Sequence, residues 1–358
     1  PRLRHAPPVS FAADFMDPTI ALFLVQDGII NGAIYALAGI ALVLVFSVTR
    51  VILVPQGEFV AFATLTLAAL EEGTIPATPW LLLAMGVLAA LVALYDARRQ
   101  LSVVRMARIL VPYVGGPLGL VGATYLLAPL GLGLAGRICL TIALITPMGP
   151  LMYRIAFEPI ANASVLILLI AAFGVHMCLT GLGLGFFGPE GVGTAPLVDG
   201  MVMLGDLVIS GQSIVVVATT VVLLIAFALF FERTLAGRAF RACSSNRLGA
   251  RLVGIPTALA GRAAFTVAAL VGAISGILVG PLMTVYYDSG FLIGLKAFIA
   301  AIIGGLVYYP LTVAAALGVG LLEAFSSFWT STYKEVIVFT IIIPFLAWRS
   351  LTTRHLAD

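Results

Sequence analysis

The chain has 358 residues, of which 61% are hydrophobic and only 10% charged, and its mean hydropathy is +1.15. A soluble domain carries about 25% charged residues and cannot bury this much apolar side chain in one core, while disordered chains are polar, so both classes are excluded. What remains is a polytopic membrane protein, and a net charge of +3 gives no reason to expect a nucleic-acid partner.

Residues 1–18, with Arg2, Arg4, His5, Pro7 and Pro8, read as a short polar tail. A helix needs about 20 apolar residues to cross the hydrocarbon layer. Candidate runs are 28–48, 51–70, 79–95, 109–128, 137–152, 164–187, 213–231, 263–287, 290–307, 311–329 and 336–348. Several are short or interrupted by Gly and Pro, which suits broken or re-entrant helices covered by protein. The expected fold is an all-α polytopic membrane protein with about 9–11 transmembrane or re-entrant helices. Residues 19–348 form one membrane domain, and 349–358 a cytoplasmic tail. Arginine placement sets the orientation. Arg98, Arg99, Arg105 and Arg108 in one loop, six arginines in loop 232–262, and Arg349 and Arg354 should face the cytoplasm. Glu71, Glu72, Glu190, Asp199 and Asp206 should face outside, which puts the N-terminus outside and the C-terminus inside.

Several motifs carry no chemistry here. Gly131 to Gly136 and Gly183 to Gly188 match G-x-G-x-x-G, but both sit at ends of apolar runs, where glycines serve helix packing or helix ends. The lysines, Lys296 and Lys334, do not follow glycine, so no Walker A motif can form and any ATP drive must come from another subunit. Cys139, Cys178 and Cys243 have no short spacing and read as reduced, and no metal-ligand spacing occurs. His176, alone in an apolar run, reads as a packing residue with a carbonyl partner.

Two constellations remain. Glu58, Lys296 and Glu323 lie in or beside apolar runs, where an unpaired charge costs about 2.5–3.5 kcal/mol. They either line a solute pathway or tie helices together as ion pairs. Glu58 follows Pro55-Gln-Gly57, where a loosened helix start exposes backbone groups that transporters use to contact solutes. The second constellation is Gly237 to Pro256, a basic stretch with an apolar side, expected to form an exposed amphipathic helix stopped by Gly254 and Pro256. Such a helix docks into a partner's groove, lies on anionic lipid, or simply anchors the inner face.

Asn31-Gly-Ala-Ile-Tyr-Ala-Leu37, Arg50-Val-Ile-Leu-Val-Pro-Gln-Gly-Glu-Phe59, Arg154 to Pro159, Gly237 to Ile255, Gly294-Leu-Lys-Ala-Phe298, Gly304-Gly305, Gly320-Leu-Leu-Glu323 and Tyr333-Lys334 follow one another in a recognisable order. In that order the chain resembles the permease subunits of branched-chain amino acid ABC importers, the LivH-type family. It departs from the family at Leu53, Pro55, Tyr308 and Tyr309. The resemblance implies a multi-pass protein of the bacterial inner membrane that is not an enzyme. Such a subunit forms half of a pathway for a branched-chain amino acid or a related small polar, amide or carboxylate solute. It would stand beside a second, homologous permease and receive solute from a periplasmic binding protein. Two cytoplasmic ATP-binding subunits would hold the ATP, leaving no cofactor in this chain, and would dock on Arg238, Phe240, Arg241, Leu248, Arg251 and Leu252. The residues alone leave a second reading open, an ion-gradient-driven carrier working through Glu58, Lys296 and Glu323.

Overall fold

The computed structural model describes residues 18–98, 102–205, 207–345 and 347. The tail 1–17, Arg99, Asp206 and the C-terminal arginines Arg349 and Arg354 lie outside the described residues, and Pro18 already opens the first helix. The chain is an all-α membrane bundle with one small hairpin. In order, the helices are α1 (Pro18–Thr49), α2 (Gln56–Glu71), α3 (Thr78–Ala97), α4 (Val103–Leu110), α5 (Gly116–Leu127), α6 (Leu134–Ile145), α7 (Met148–Met152), α8 (Val165–Phe187), α9 (Gly211–Arg233), α10 (Leu235–Ser245), α11 (Arg247–Leu252), α12 (Thr257–Val279), α13 (Ser289–Ile303), α14 (Tyr309–Trp329) and α15 (Lys334–Thr340). Among the described residues, eight helical stretches are long and apolar enough to span a membrane. These are α1, α3, 103–130, 134–157, α8, α9, α12 and α14. Strands β1 (Met201–Leu204) and β2 (Leu207–Ser210) pair antiparallel, with Met201 opposite Ser210.

Three expected runs are cut short, each for a local reason. Run 51–70 becomes helical only at Gln56, because Arg50 closes α1 with a left-handed backbone (φ 63°) and Pro55 disfavours helix in the residue before it. Run 263–287 begins as helix at Thr257 and stops at Val279, just before Gly280 and Pro281. Run 290–307 stops at Ile303 in a Schellman turn: Gly305 (φ 74°) donates to Ile302 O and Leu306 to Ala301 O, both at 2.8 Å. The last run, 336–348, is helical over Lys334–Thr340 and, after a turn at Ile341, again over 342–345. The shortened runs α2 and α13 are 16 and 15 residues long, about 24 and 22 Å, which is roughly three-quarters of a full crossing.

The two ends of the bundle separate the charges as the arginine pattern requires. At one end the Ala195 N–H donates to Glu71 (2.9 Å), and Val192 exchanges backbone hydrogen bonds with Val285. At the other end Arg154 bridges Asp96 (2.6 Å) and Glu158 (3.0 Å), and Arg247 donates to the Ala161 carbonyl (2.8 Å).

Glycines let the central helices touch backbone to backbone, as small residues do at membrane helix interfaces. A Cβ on Gly28 or Gly32 of α1 would meet the Cα of Leu321 or Leu317 on α14 at 2.7 Å. One on Gly276 of α12 would meet the Val60 carbonyl of α2 at 2.2 Å. The closest approach joins α2 to α13: a Cβ on Gly57 would lie 1.7 Å from the Gly290 carbonyl oxygen, and one on Gly290 2.4 Å from that of Gly57. Replacing Gly57 with Ala should therefore destabilise the purified protein by about 1–3 kcal/mol, the range for overpacking. Gly122→Ala, where nothing lies within 4 Å, should be neutral. Thermal unfolding of both variants in one detergent checks this, and equal midpoints would refute the tight crossing.

Candidate functional site

The Gly57–Gly290 contact joins the beginnings of two part-length helices inside the bundle. Gln56 fixes its depth: its side-chain amide donates to the carbonyl of Ala268, near the middle of α12 (3.1 Å). α2 is buried on nearly every side, as expected of a helix that is apolar all round and enclosed by others. Both N-termini, which carry the positive ends of the helix dipoles, thus lie level with the middle of α12. Beside them is a cavity of about 150 Å³, walled by Leu42, Leu53, Val54, Phe173, Phe291 and Phe298. Part of its wall is the non-helical segment 52–54, which the early stop at Arg50 leaves extended. The arrangement offers an apolar chamber next to backbone of positive polarity, suited to a small solute with an aliphatic side chain and an acidic end.

Glu58, in the first turn of α2, is buried (1% exposed) and hydrogen-bonded to Nδ1 of His176 on α8, itself 3% exposed. The expected carbonyl partner of His176 is therefore a carboxylate instead. The imidazole also stacks on Phe291 with ring centroids 4.5 Å apart, and Phe291 is part of the cavity wall. The second Glu58 oxygen, Oε2, is buried with no hydrogen-bond partner. Glu58 thus connects the start of α2 to α8 and, through two rings, to the chamber.

Lys296 and Glu323 form a different cluster. Lys296 Nζ donates to Glu323 (2.6 Å) and to Glu335 (3.0 Å), and the Tyr35 hydroxyl donates to the other Glu323 oxygen (2.6 Å). The ammonium also lies 5.7 Å from the Tyr35 ring centroid. Four elements, α1, α13, α14 and α15, are tied by one lysine. The three acidic and basic residues singled out in the sequence therefore divide between two clusters, and the Lys296–Glu323 pair has the form of an interhelical tie. His176, Tyr35 and Glu335 were missed as partners. Tyr35 and Glu323 are 288 positions apart, and only the fold brings them together.

On the cytoplasmic side, the expected single amphipathic helix is two. Asn246 ends α10 and caps α11 by accepting the Gly249 N–H (2.9 Å), and α11 stops as expected, in a Schellman turn at Gly254 (φ 85°). Arg238, Arg241 and Arg251 are exposed, with Arg251 also donating to Thr257 (2.9 Å). Leu248 and Leu252 are 69% and 81% exposed. Phe240 points the other way. It is 4% exposed and packs on Phe230 and Phe231 of α9, which roots α10 to the membrane domain.

The buried lysine makes a clear prediction. Lys296→Met strands Glu323 without a countercharge and should cost about 3–5 kcal/mol, whereas the double change Lys296→Met with Glu323→Leu should recover most of it. Thermal midpoints of the two variants decide, and equal losses would show that the pair is not the tie described.

The family described as "Branched-chain amino acid transport system / permease component" matches residues 113–346. The high-affinity branched-chain amino acid transport system permease protein LivH of Escherichia coli (strain K12) is 32% identical over 197 residues, 53% of this chain and 64% of its own length. LivH of Salmonella typhimurium is equally similar, and BraD of Pseudomonas aeruginosa is 30% identical over 203 residues, 55% of this chain and 66% of its own. The chain thus spans just under two-thirds of the length of the curated relatives it matches. No solved structure matches. With eight helical stretches among its described residues long and apolar enough to span a membrane and a match covering most of its length, this multi-pass bacterial inner-membrane protein belongs to the branched-chain amino acid transport system permease family.

Proposed function

We propose that this chain is the permease subunit of an ATP-driven importer and forms half of a translocation pathway. The solute would be a branched-chain amino acid or a related small amide or carboxylate. A second permease would supply the other half, a periplasmic binding protein the solute, and two cytoplasmic ATPases the energy. The observation that carries the reading is the α10–α11 pair. Its leucines, Leu248 and Leu252, face water among exposed arginines, while Phe240 anchors the pair to α9. Exposed apolar side chains on a firmly rooted helix pair fit the groove of a partner subunit. An ion-driven carrier has no use for such a surface. The aliphatic and aromatic chamber beside the α2 and α13 N-termini supports the choice of solute class.

The triple variant Arg241→Asp, Leu248→Asp, Leu252→Asp should lose its ATPase on mild-detergent purification and lose uptake, with the thermal midpoint unchanged. An ATPase that still copurifies would overturn the docking role, and uptake driven by an ion gradient without ATP would overturn the importer reading. Leu295→Trp, which adds bulk at the chamber wall, should reduce uptake of branched-chain solute at least tenfold while leaving copurification intact. Unchanged uptake would show that solute passes elsewhere.

A further inference from the structure

We propose that a second cavity, at the cytoplasmic end between α3, α4, α7 and the start of α12, binds an anionic phospholipid of the inner leaflet. The cavity measures about 830 Å³, and its wall is largely apolar: Pro112, Pro117, Leu120, Pro147, Pro150 and Leu151. Four of these are prolines, whose fixed φ holds the wall in shape without a ligand. A Cβ on Gly86 of α3 would lie 2.2 Å from the Tyr113 carbonyl, so α3 presses directly on the turn that carries Tyr113 and Pro112.

Three arginines line the same cavity, Arg108, Arg154 and Arg262, with no acid among its described lining residues. Two acids behind the wall neutralise two of them. Arg262 donates to both oxygens of Glu158 (2.8 and 2.9 Å), and Arg154 is shared between Glu158 and Asp96. Arg154 Nε is buried and unpartnered. Arg108 is exposed and, among the described residues, makes no ion pair. The site therefore keeps one positive charge that no side chain answers.

α4 supplies the membrane context. Ser102 caps it by accepting the Arg105 N–H (3.3 Å), and none of its residues is buried. Val103, Val104 and Met106 are exposed beside Arg105 and Arg108 at the cytoplasmic start of the spanning stretch 103–130, where apolar and basic side chains together suit the membrane interface. A soluble anion would leave the apolar wall wet, and a zwitterionic lipid would leave the spare charge unanswered. A ligand with one net negative headgroup and acyl chains satisfies both, as do basic pockets between transmembrane helices on the cytoplasmic side.

The test uses the full chain purified in mild detergent and offered equal amounts of phosphatidylglycerol and phosphatidylcholine, with bound lipid counted by native mass spectrometry. One unmatched arginine at the surface should favour phosphatidylglycerol about fivefold. Arg108→Gln should remove that preference, and Leu120→Trp, which fills the cavity, should lower phosphatidylglycerol occupancy. Arg233→Gln, an exposed arginine on α9, should change neither. Because Arg108 is exposed, its variant decides the matter if Leu120→Trp does not fold. A wild type without preference, or a preference that survives either substitution in folded protein, overturns the proposal. So does displacement of the lipid by glycerol 3-phosphate alone, which would assign the site to a soluble phosphate compound.

Discussion

Two peptide backbones in contact inside a membrane set the terms for the rest of this protein. Where α2 and α13 meet, neither helix has room for a side chain, since Gly57 and Gly290 each occupy the space in which the other's Cβ would sit. The contact is possible only because both helices begin at that point, one after the extended segment 51–55 and the other after the non-helical stretch 280–288. It also requires α12 to lie close behind, which Gly272 and Gly276 permit against Phe59 and Val60. Short helices cannot satisfy their terminal N–H groups within hydrocarbon, so the bundle must enclose them. The burial of α2 and the chamber beside it are two aspects of that one requirement.

The ionisable groups inside the bundle follow a similar economy of placement. Lys296 holds two carboxylates that arrive on different helices, and Tyr35 takes the remaining oxygen of Glu323, so each polar atom of that acid has a partner. Glu58 is treated differently. One oxygen is bonded to His176 and the other is bare, and the imidazole is held against a ring of the chamber wall. Glu335 Oε2 is also without a partner among the described residues, so what sets Glu58 apart is its place beside the cavity, where an unfilled acceptor suits a group that contacts something transient.

Much of this was legible in the sequence. Composition and run length gave a polytopic helical protein, and arginine placement separated its two ends, because both depend only on residue type along the chain. Gly254 and Pro55 marked real helix ends, since their backbone preferences act locally, whereas the stop before the Gly304-Gly305 pair was not foreseen. The break at Asn246 was not foreseen, although Asn followed three residues later by Gly is a local capping signal. Contacts were the hidden part. Glu58 was singled out correctly as a buried charge, but His176 lies 118 positions away and no local rule links them. The inward turn of Phe240 was likewise unreadable, because an eleven-residue basic helix can present either face until its neighbour, here α9, is known.

The Lys296 cluster bears on how such a bundle can move. α1, α13, α14 and α15 share one ammonium group, so sliding any of them past the others would strand a charge in hydrocarbon. These four behave as a single stiff block. The seam between α2 and α13 is built the opposite way: glycine faces glycine, and among the described residues no salt bridge crosses it. Smooth surfaces shear at low cost, and interlocked ones do not. One helix, α13, therefore carries both a charge-locked joint and a glycine-lined one, and it also helps to wall the chamber.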